Sequence, residues 1–231
     1  LAESGGHGEM TLRARMISVD GTPADEILLD GRVCDCCQTA ATLTESGPVV
    51  VYRNRTDDEI RDIYVTRRVD GAWAEGVAVH DDGWEIGGCP VNGPAIDAEG
   101  DRVAVAWFTG ANNEARVKVA FSNDAGASFG APSIVDDGAP GGRVDVHLLA
   151  DGAAMVTWLE NTGGDRAEVR MAIVDPDGTR GPSHALTQTS AARPSGFPRV
   201  APLSDDTFLL AWTDARSEAP RVRVQQVEMV R

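Results

Sequence analysis

The sequence has little lysine and no long apolar run. Lys118 is its one lysine, so nearly all of its 21 basic residues are arginines, whose planar guanidinium groups grip carboxylates with two parallel hydrogen bonds. No apolar run approaches the roughly 18 residues needed to cross a bilayer, so we expect no membrane span. The first residues lack the basic stretch and apolar core of a signal peptide, which fits a mature secreted protein or a fragment equally well.

Positive charge is also in the minority. Asp and Glu number 36, and the net charge is −15, which disfavours binding to nucleic acid and to anionic lipid. The 25 glycines and 12 prolines indicate many turns and therefore a β-rich chain. Four cysteines are too few for a disulfide scaffold in a chain of 231 residues.

A repeat runs through the sequence. Four short apolar segments each end in an aromatic residue, and these aromatics follow one another at intervals of 51 to 55 residues: Tyr52, Trp107, Trp158 and Trp212. A segment with alternating apolar and polar residues follows each aromatic, another segment precedes it, and a less regular fourth completes the unit. Four antiparallel strands repeating at this period are typical of a β-propeller blade.

We therefore predict a single all-β domain, a propeller of four-stranded antiparallel blades, with no helix. The predicted blade units are residues 1–33, 34–88, 89–140, 141–192 and 193–231. The first unit begins inside a blade and the last ends after its third strand. Either the last blade takes its missing strand from the N-terminal region, or, as we favour, the chain is the C-terminal part of a larger propeller. Open sheet edges would invite a protein partner.

One turn carries a family resemblance. The segment 122–129, SNDAGASF, resembles the Asp box of the sialidase (neuraminidase) superfamily, with the matching positions Ser122, Asp124, Gly126, Ser128 and Phe129. The resemblance is to bacterial sialidase-like proteins with BNR repeats, and it implies a six-bladed propeller when complete, with about four blades in this chain. It also implies a structural role for the turn, in which the Asp binds turn amides and the aromatic packs between sheets.

The resemblance bears on catalysis too. Sialidases hold the substrate carboxylate with three arginines and use a Tyr nucleophile paired with a Glu, plus an Asp acid/base. This chain has two tyrosines, and Tyr52 occupies the structural aromatic position of its unit, while Tyr64 lies on a strand expected to be far from the propeller axis. We therefore assign no catalytic residue.

The cysteines form a first candidate site. Cys34 and Cys89 each lie 18 residues before the aromatic of their unit, so they occupy equivalent positions in adjacent blades, and Cys36 and Cys37 follow at once. The cluster is interpreted as one or two disulfides, with about 4 kcal/mol from a cross-link between blades, or as a copper or zinc site to which His80 adds an imidazole, or as a redox or free-thiol centre.

Charged residues form the other candidates. Those after the first aromatic are either a solvated hairpin tip or a binding surface for an anion or a sugar: Arg53, Arg55, Glu59, Arg61 and Asp62. Those at later strand entries are either a polar ligand rim or pairs that satisfy each other: Asn92, Arg143, Asp145 and Arg199.

The leading functional prediction is a periplasmic or extracellular binding or assembly module for a carbohydrate or another polar ligand. The alternative is an exo-sialidase-type glycoside hydrolase whose remaining catalytic residues lie outside this chain.

Overall fold

The computed structural model describes residues 10–229, and this part of the chain is all-β. Its strands form five antiparallel sheets that follow one another along the sequence. The helical content of these residues is two single 3-10 turns, Ala111–Asn113 and Arg193–Ser195. The prediction of an all-β chain with four-stranded antiparallel sheets is thereby confirmed. No helix among residues 10–229 is long and apolar enough to cross a membrane.

The strands have the following bounds. The first sheet contains β1 (Met10–Ala14) and β2 (Ile27–Val33). The second contains β3 (Ala40–Thr44), β4 (Gly47–Arg53), β5 (Ile63–Val69), β6 (Ala72–Trp73) and β7 (Val77–Ala78). The third contains β8 (Ala95–Glu99), β9 (Arg102–Thr109), β10 (Arg116–Ser122) and β11 (Ser133–Ile134). The fourth contains β12 (Pro140–Leu148), β13 (Ala154–Gly163), β14 (Arg166–Val174) and β15 (His184–Ser190), and the fifth β16 (Arg199–Ser204), β17 (Thr207–Asp214) and β18 (Arg221–Glu228).

The second strand of each of the last four sheets carries the repeated aromatic, and this strand is the most apolar. In β9, six of the eight residues are buried, and Trp107 is 1% exposed. Such strands read as continuous apolar runs because both faces of the sheet are covered. Asp70 and Gly71, both with positive φ, form the tight turn between β5 and β6 that the Asp-Gly pair predicts.

The fourth-strand segments are less regular than the repeat predicts. In the second sheet this position is divided between β6 and β7, which both pair with β5, and in the third sheet it shrinks to the two residues of β11. Pro132 stands just before β11, and a proline has no backbone N–H for the sheet ladder.

Hydrophobic side chains hold neighbouring sheets together face to face. One cluster joins Val49 and Val65 of the second sheet to Val103 and Trp107 of the third. Others join the third sheet to the fourth and the fourth to the fifth. The first strands of consecutive sheets (β3, β8, β12 and β16) also lie side by side. This is the arrangement of successive propeller blades. Ring closure, blade number and the unit boundaries stay predictions, and residues 1–9 of the first unit lie outside the described residues.

Side chains link these first strands to the backbone of the next sheet. Gln38 accepts a hydrogen bond from the N–H of Gly93 (3.0 Å) and donates to its carbonyl (3.2 Å), and a Cβ at position 93 would collide with the backbone of Gln38. Asp97 accepts from the N–H of Leu148, and Asp145 from that of Val200. Such links fix the register between sheets that share no strand ladder.

The turn at 122–129 joins β10 to β11. The Asp124 carboxylate accepts hydrogen bonds from Ser122 Oγ (2.7 Å) and from both N–H and Oγ of Ser128 (2.9 and 2.6 Å). Gly126 has φ of 78°, and a Cβ there would press on Val49 at 3.3 Å. Phe129 packs against the cluster between the second and third sheets. The geometry is that of a structural turn, and its membership of the Asp-box class stays a prediction.

Candidate functional site: a cysteine and arginine cluster

Three connecting segments meet beside the second sheet. They are residues 34–39 between β2 and β3, residues 54–62 between β4 and β5, and residues 79–94 between β7 and β8. The Cys34 N–H donates to the Arg53 carbonyl at 2.9 Å, and the Arg61 N–H donates to the Trp84 carbonyl at 2.9 Å. These bonds bring the cysteines and the first charged group predicted from sequence into one place.

A disulfide joins two of these segments. Cys36 bonds to Cys89, with their Cα atoms 5.9 Å apart and a separation of 53 positions in sequence. The prediction of a disulfide that reaches Cys89 is confirmed. The bonded partner is Cys36, although Cys34 has the matching offset, because Cys34 is buried and its Sγ lies beside Arg61.

Cys34 and Cys37 remain free thiols. Cys34 Sγ lies 3.3 Å from Cys37 Sγ and 3.5 Å from Cys36 Sγ. The disulfide takes two of the four sulfurs that the metal prediction counted. His80 does not belong to the sulfur group that the described residues form, and its Nδ1 lies 2.9 Å from the Asp82 carboxylate instead. Copper or zinc at this cluster therefore stays a prediction, and the free thiols that could bind the ion are Cys34 and Cys37.

The two free thiols differ in acidity. The interaction with Cys37 lowers the pKa of Cys34 to about 5, and Arg61, whose Nη1 lies 3.6 Å from the sulfur, acts in the same direction against burial. The interaction with Cys34 and burial raise the pKa of Cys37. Cys34 is thus the thiolate of the pair and Cys37 the thiol.

Arg53 lies inside the protein, not on the predicted binding surface. Its side chain donates to the carbonyls of Asn92 (3.0 and 2.7 Å), Phe108 (2.7 Å) and Arg61 (2.5 Å), and its guanidinium stacks 4.8 Å from the centre of the Trp84 ring. Burial lowers the pKa of Arg53. With its donors directed at backbone carbonyls, Arg53 braces three segments and cannot reach a ligand in solution.

Three guanidinium groups surround the Glu59 carboxylate. Arg55 grips it through Nε and Nη2 (3.0 and 2.6 Å), Arg61 does so through the same two atoms (3.1 and 2.6 Å), and Arg32 Nη2 lies 3.7 Å away. Arg55 and Arg61 lower the pKa of Glu59 to about 2. Glu59 has φ of 60°, a left-handed conformation that a non-glycine residue adopts at a cost. We call Arg32, Arg55, Arg61 and Glu59 the arginine cluster.

The arginine cluster borders an open cleft. Arg32 and Arg55 line a cleft of about 520 Å³ between β2, the residues after β4, and β5, together with Asp30, Asp57, Tyr64 and Glu75. Asp57, whose side chain is 95% exposed, also pairs with Arg32. The volume is in the range of small-ligand sites, and the lining is strongly polar.

Tyr52 is a structural residue. It is fully buried, and its hydroxyl donates to the Asp30 carboxylate at 2.6 Å, so that it ties the second sheet to β2. Burial and the neighbouring Asp30 raise the pKa of Tyr52, which opposes formation of a phenolate nucleophile.

The remaining charged candidates pair inside the fold. Asp62 accepts from the N–H groups of Gly83 and Trp84 (2.8 and 3.0 Å), and burial raises its pKa. Asp145 pairs with Arg199 at 3.0 Å across two sheets. Both carboxylates are thus bound by donors of the protein itself, and a binding surface at Asp62 or a ligand rim at Asp145 and Arg199 stays a prediction.

Asn92 and Arg143, which each stand 15 residues before the repeated aromatic of their unit, are in direct contact. Asn92 Oδ1 accepts from the Arg143 N–H at 2.8 Å, and the Arg143 guanidinium donates to the Ala192 carbonyl at 3.0 Å. Their backbone and side-chain bonds are directed at the protein itself.

Sequence reasoning missed three contributors. Arg32 completes the arginine cluster, Trp84 supports Arg53, and Gln38 links the second sheet to the third. Arg32 stands two residues before Cys34, and this proximity to the cysteines was the signal that could have identified it. Nothing in the sequence marks Trp84 as a partner of Arg53.

The chain was compared with known proteins. No protein-family model matches it, and no curated protein matches it. Solved structures do match. A protein of unknown function from Dyadobacter fermentans DSM 18053 is 15% identical with a TM-score of 0.61, covering 98% of this chain and 71% of its own.

Two further matches are carbohydrate enzymes by name. The Hadza microbial sialidase Hz136 is 17% identical with a TM-score of 0.54 over 83% of this chain, and the Bacteroides ovatus xyloglucan PUL GH43B is 13% identical with a TM-score of 0.53 over 85%. This chain spans 46% of the length of the sialidase and 40% of that of GH43B. At these identities the similarity shows a shared fold, that of the propeller glycosidases.

Proposed function

We propose that this chain is a sialidase-like propeller module that binds a sugar or related small molecule through a carboxylate group. This proposal rests on the arginine cluster, in which three guanidinium groups surround one carboxylate. A bidentate guanidinium–carboxylate pair is among the strongest polar contacts available to a protein, and three around one site form a strong carboxylate receptor.

Glu59 occupies this receptor as an internal carboxylate. Its side chain is 28% exposed, and its backbone is in a left-handed conformation. A ligand that enters the cleft past Arg32 and Arg55 can therefore displace Glu59 without leaving a guanidinium unpaired. At physiological salt charges beyond about 8 Å are largely screened, so the net charge of −15 matters less than the groups that line the cleft, where Arg32 and Arg55 attract an anion and Asp30, Asp57 and Glu75 oppose it.

Carbohydrate as the ligand class is supported by the named glycosidases among the similar structures and by the polar cleft lining. The Asp-box resemblance of residues 122–129 supports the sialidase side of that group. A periplasmic or extracellular location is part of the proposal, since the Cys36–Cys89 disulfide is of the kind that persists in oxidising compartments.

Hydrolysis is not part of the proposal. An exo-sialidase needs a tyrosine nucleophile. Tyr52 is buried against Asp30 with a raised pKa, and Tyr64, which lines the cleft, has no hydrogen bond to a carboxylate among residues 10–229 that would activate it. Binding alone is what the arginine cluster supports.

Calorimetric titration tests the proposal. We expect N-acetylneuraminic acid or glucuronic acid to bind at least tenfold more tightly than uncharged N-acetylglucosamine. Arg55→Gln should weaken binding of the acid at least tenfold, which corresponds to about 1.4 kcal/mol. Glu59→Gln should strengthen it severalfold because the internal competitor is gone.

Asp137→Asn is the matched control. Asp137 is held by Arg170 and Arg180, so this variant also frees two guanidinium groups, but away from the cleft. It should leave the affinity unchanged. Equal affinity for acidic and neutral sugars, or weaker binding by Glu59→Gln, would refute the proposal.

A further inference from the structure

The sulfur atoms of the cluster have no part in carboxylate binding. Cys34 and Cys37 enclose two residues, so they form a Cys-x-x-Cys pair, and the second of the two enclosed residues is Cys36. Three sulfurs of one segment therefore lie together, with separations of 3.3 to 4.0 Å, and one of them is bonded to Cys89 in another segment. A dithiol in contact with a disulfide is the arrangement from which thiol–disulfide exchange begins.

The surroundings favour Cys34 as the attacking sulfur. Arg61 Nη1 lies 3.6 Å from Cys34 Sγ and stabilises a thiolate there. Exchange requires a thiolate attacker and a second thiol to complete the reaction, and Cys34 beside Arg61, with Cys37 Sγ 3.3 Å away, matches these two roles. The positive charge of Arg53 and Arg61 suits a sulfur anion and opposes a metal cation.

Exposure increases across the four cysteines, from the buried Cys34 through the half-buried Cys36 and Cys37 to Cys89. Cys34 is 5% exposed, so its sulfur is shielded from a peptide or protein in solution. Cys89 is an exposed residue at the outer end of the disulfide. A substrate thus meets Cys89 first, and Cys34 can reach it through the Cys36 end of the disulfide, 3.5 Å away.

We propose that the four cysteines form a two-electron relay, in which the Cys34/Cys37 dithiol reduces a peptide or protein disulfide through the Cys36–Cys89 bond. The Cys34 thiolate attacks Cys36 Sγ, and Cys89 leaves as a thiolate. Cys37 loses its proton and attacks Cys34 Sγ, so that a Cys34–Cys37 disulfide forms and Cys36 leaves as a thiolate.

The cross-linked pair, Cys36 and Cys89, then completes the transfer. Cys89 attacks the substrate disulfide and releases its first thiolate. Cys36 attacks Cys89 Sγ, releases the second thiolate and restores the Cys36–Cys89 bond. In total the Cys34 thiolate and the Cys37 thiol become a disulfide and one substrate disulfide becomes two thiols, with one proton supplied by Cys37 and the other by solvent.

A single-turnover reaction with glutathione disulfide tests the relay. The full chain, purified without reductant, is mixed with the probe under anaerobic conditions, quenched with N-ethylmaleimide and analysed by peptide mass spectrometry. We expect two equivalents of glutathione per chain and a product with Cys34–Cys37 and Cys36–Cys89 disulfides. No glutathione release, a mixed disulfide at Cys34 in place of Cys89, or a stoichiometric copper or zinc ion on the purified chain would overturn the relay.

Two variants separate the relay from direct oxidation. Cys37→Ser keeps the cross-link and the attacking thiol but cannot complete the exchange, so we expect one equivalent of glutathione and a mixed disulfide on Cys89. The double variant Cys36→Ser/Cys89→Ser removes the cross-linked pair, and oxidation of Cys34 and Cys37 should slow at least tenfold. An unchanged rate in the double variant, with circular dichroism like that of the parent, would show that Cys34 and Cys37 are oxidised without the relay.

Discussion

The Cys36–Cys89 bond makes a quantitative prediction about stability. Its sulfur atoms join residues 53 positions apart, and the loop-entropy model gives a loop of this size about 4 kcal/mol. At a urea slope of about 2.5 kcal/mol per M, the double variant Cys36→Ser/Cys89→Ser should unfold at a midpoint about 1.6 M lower than the parent. This loss of stability should leave the native circular dichroism spectrum unchanged, because the loop-entropy model attributes it to a larger conformational entropy of the unfolded chain.

Urea titration followed by tryptophan fluorescence measures this shift. The matched control is Cys34→Ser/Cys37→Ser, which alters the same segment and keeps the cross-link, so its midpoint should fall by much less. Reduction of the parent followed by alkylation gives a second measurement of the same quantity. A shift below about 0.4 M in the double variant would mean that contacts such as Gln38 with Gly93 already hold the two segments together in the unfolded ensemble, and the entropy argument would fail.

Two further predictions concern structural polar contacts. Tyr52→Phe removes the hydroxyl that donates to Asp30 and should lower the free energy of unfolding by about 1–2 kcal/mol in urea titration, whereas the half-buried Tyr64→Phe serves as control and should change it by less. Asp124→Ala should destabilise by about 1 kcal/mol at neutral pH. Although desolvation opposes it, hydrogen bonds from Ser128 and Ser122 lower the pKa of Asp124 to about 2, so the stability it supplies is present above its ordinary value of 3.8 and is lost as the pH falls towards 2. A parent-minus-variant difference that stays constant from pH 6 to pH 2 would contradict this assignment.

The order of the strands within each sheet could be predicted because the repeat consists of short local sequence patterns. An apolar strand with a terminal aromatic needs no tertiary information to be recognised, and Trp107, Trp158 and Trp212 all lie on the second strand of their sheets. The outer strands are less predictable because they contribute few buried side chains. β7 and β11 have two residues each, too few to produce an alternating pattern.

The site was predictable in composition but not in orientation. The sequence places four cysteines and several arginines in neighbouring loops, yet which sulfur bonds to Cys89 depends on the direction of each Cβ, and the shared offset of Cys34 and Cys89 does not distinguish Cys34 from Cys36 and Cys37 as the partner. Arg53 shows the same limit. It stands in a charged sequence beside Arg55, but it is the last residue of β4, and strand alternation directs neighbouring side chains to opposite faces.

Arg61 connects the two proposed activities and supplies the last prediction. Its Nη2 lies 2.6 Å from the Glu59 carboxylate and its Nη1 lies 3.6 Å from Cys34 Sγ, so one guanidinium serves both an anion receptor and a thiolate. Glu59→Gln removes the carboxylate charge that competes for this guanidinium, and the pKa of Cys34 should fall further. Alkylation of Cys34 by iodoacetamide, followed against pH by mass spectrometry, measures the change, with Asp137→Asn as the control for loss of an arginine-bound carboxylate elsewhere. Loss of a negative charge near Arg61 can only favour the Cys34 thiolate and so lower its pKa. An alkylation midpoint that is unchanged or higher in Glu59→Gln would therefore show that Arg61 does not couple the two sites.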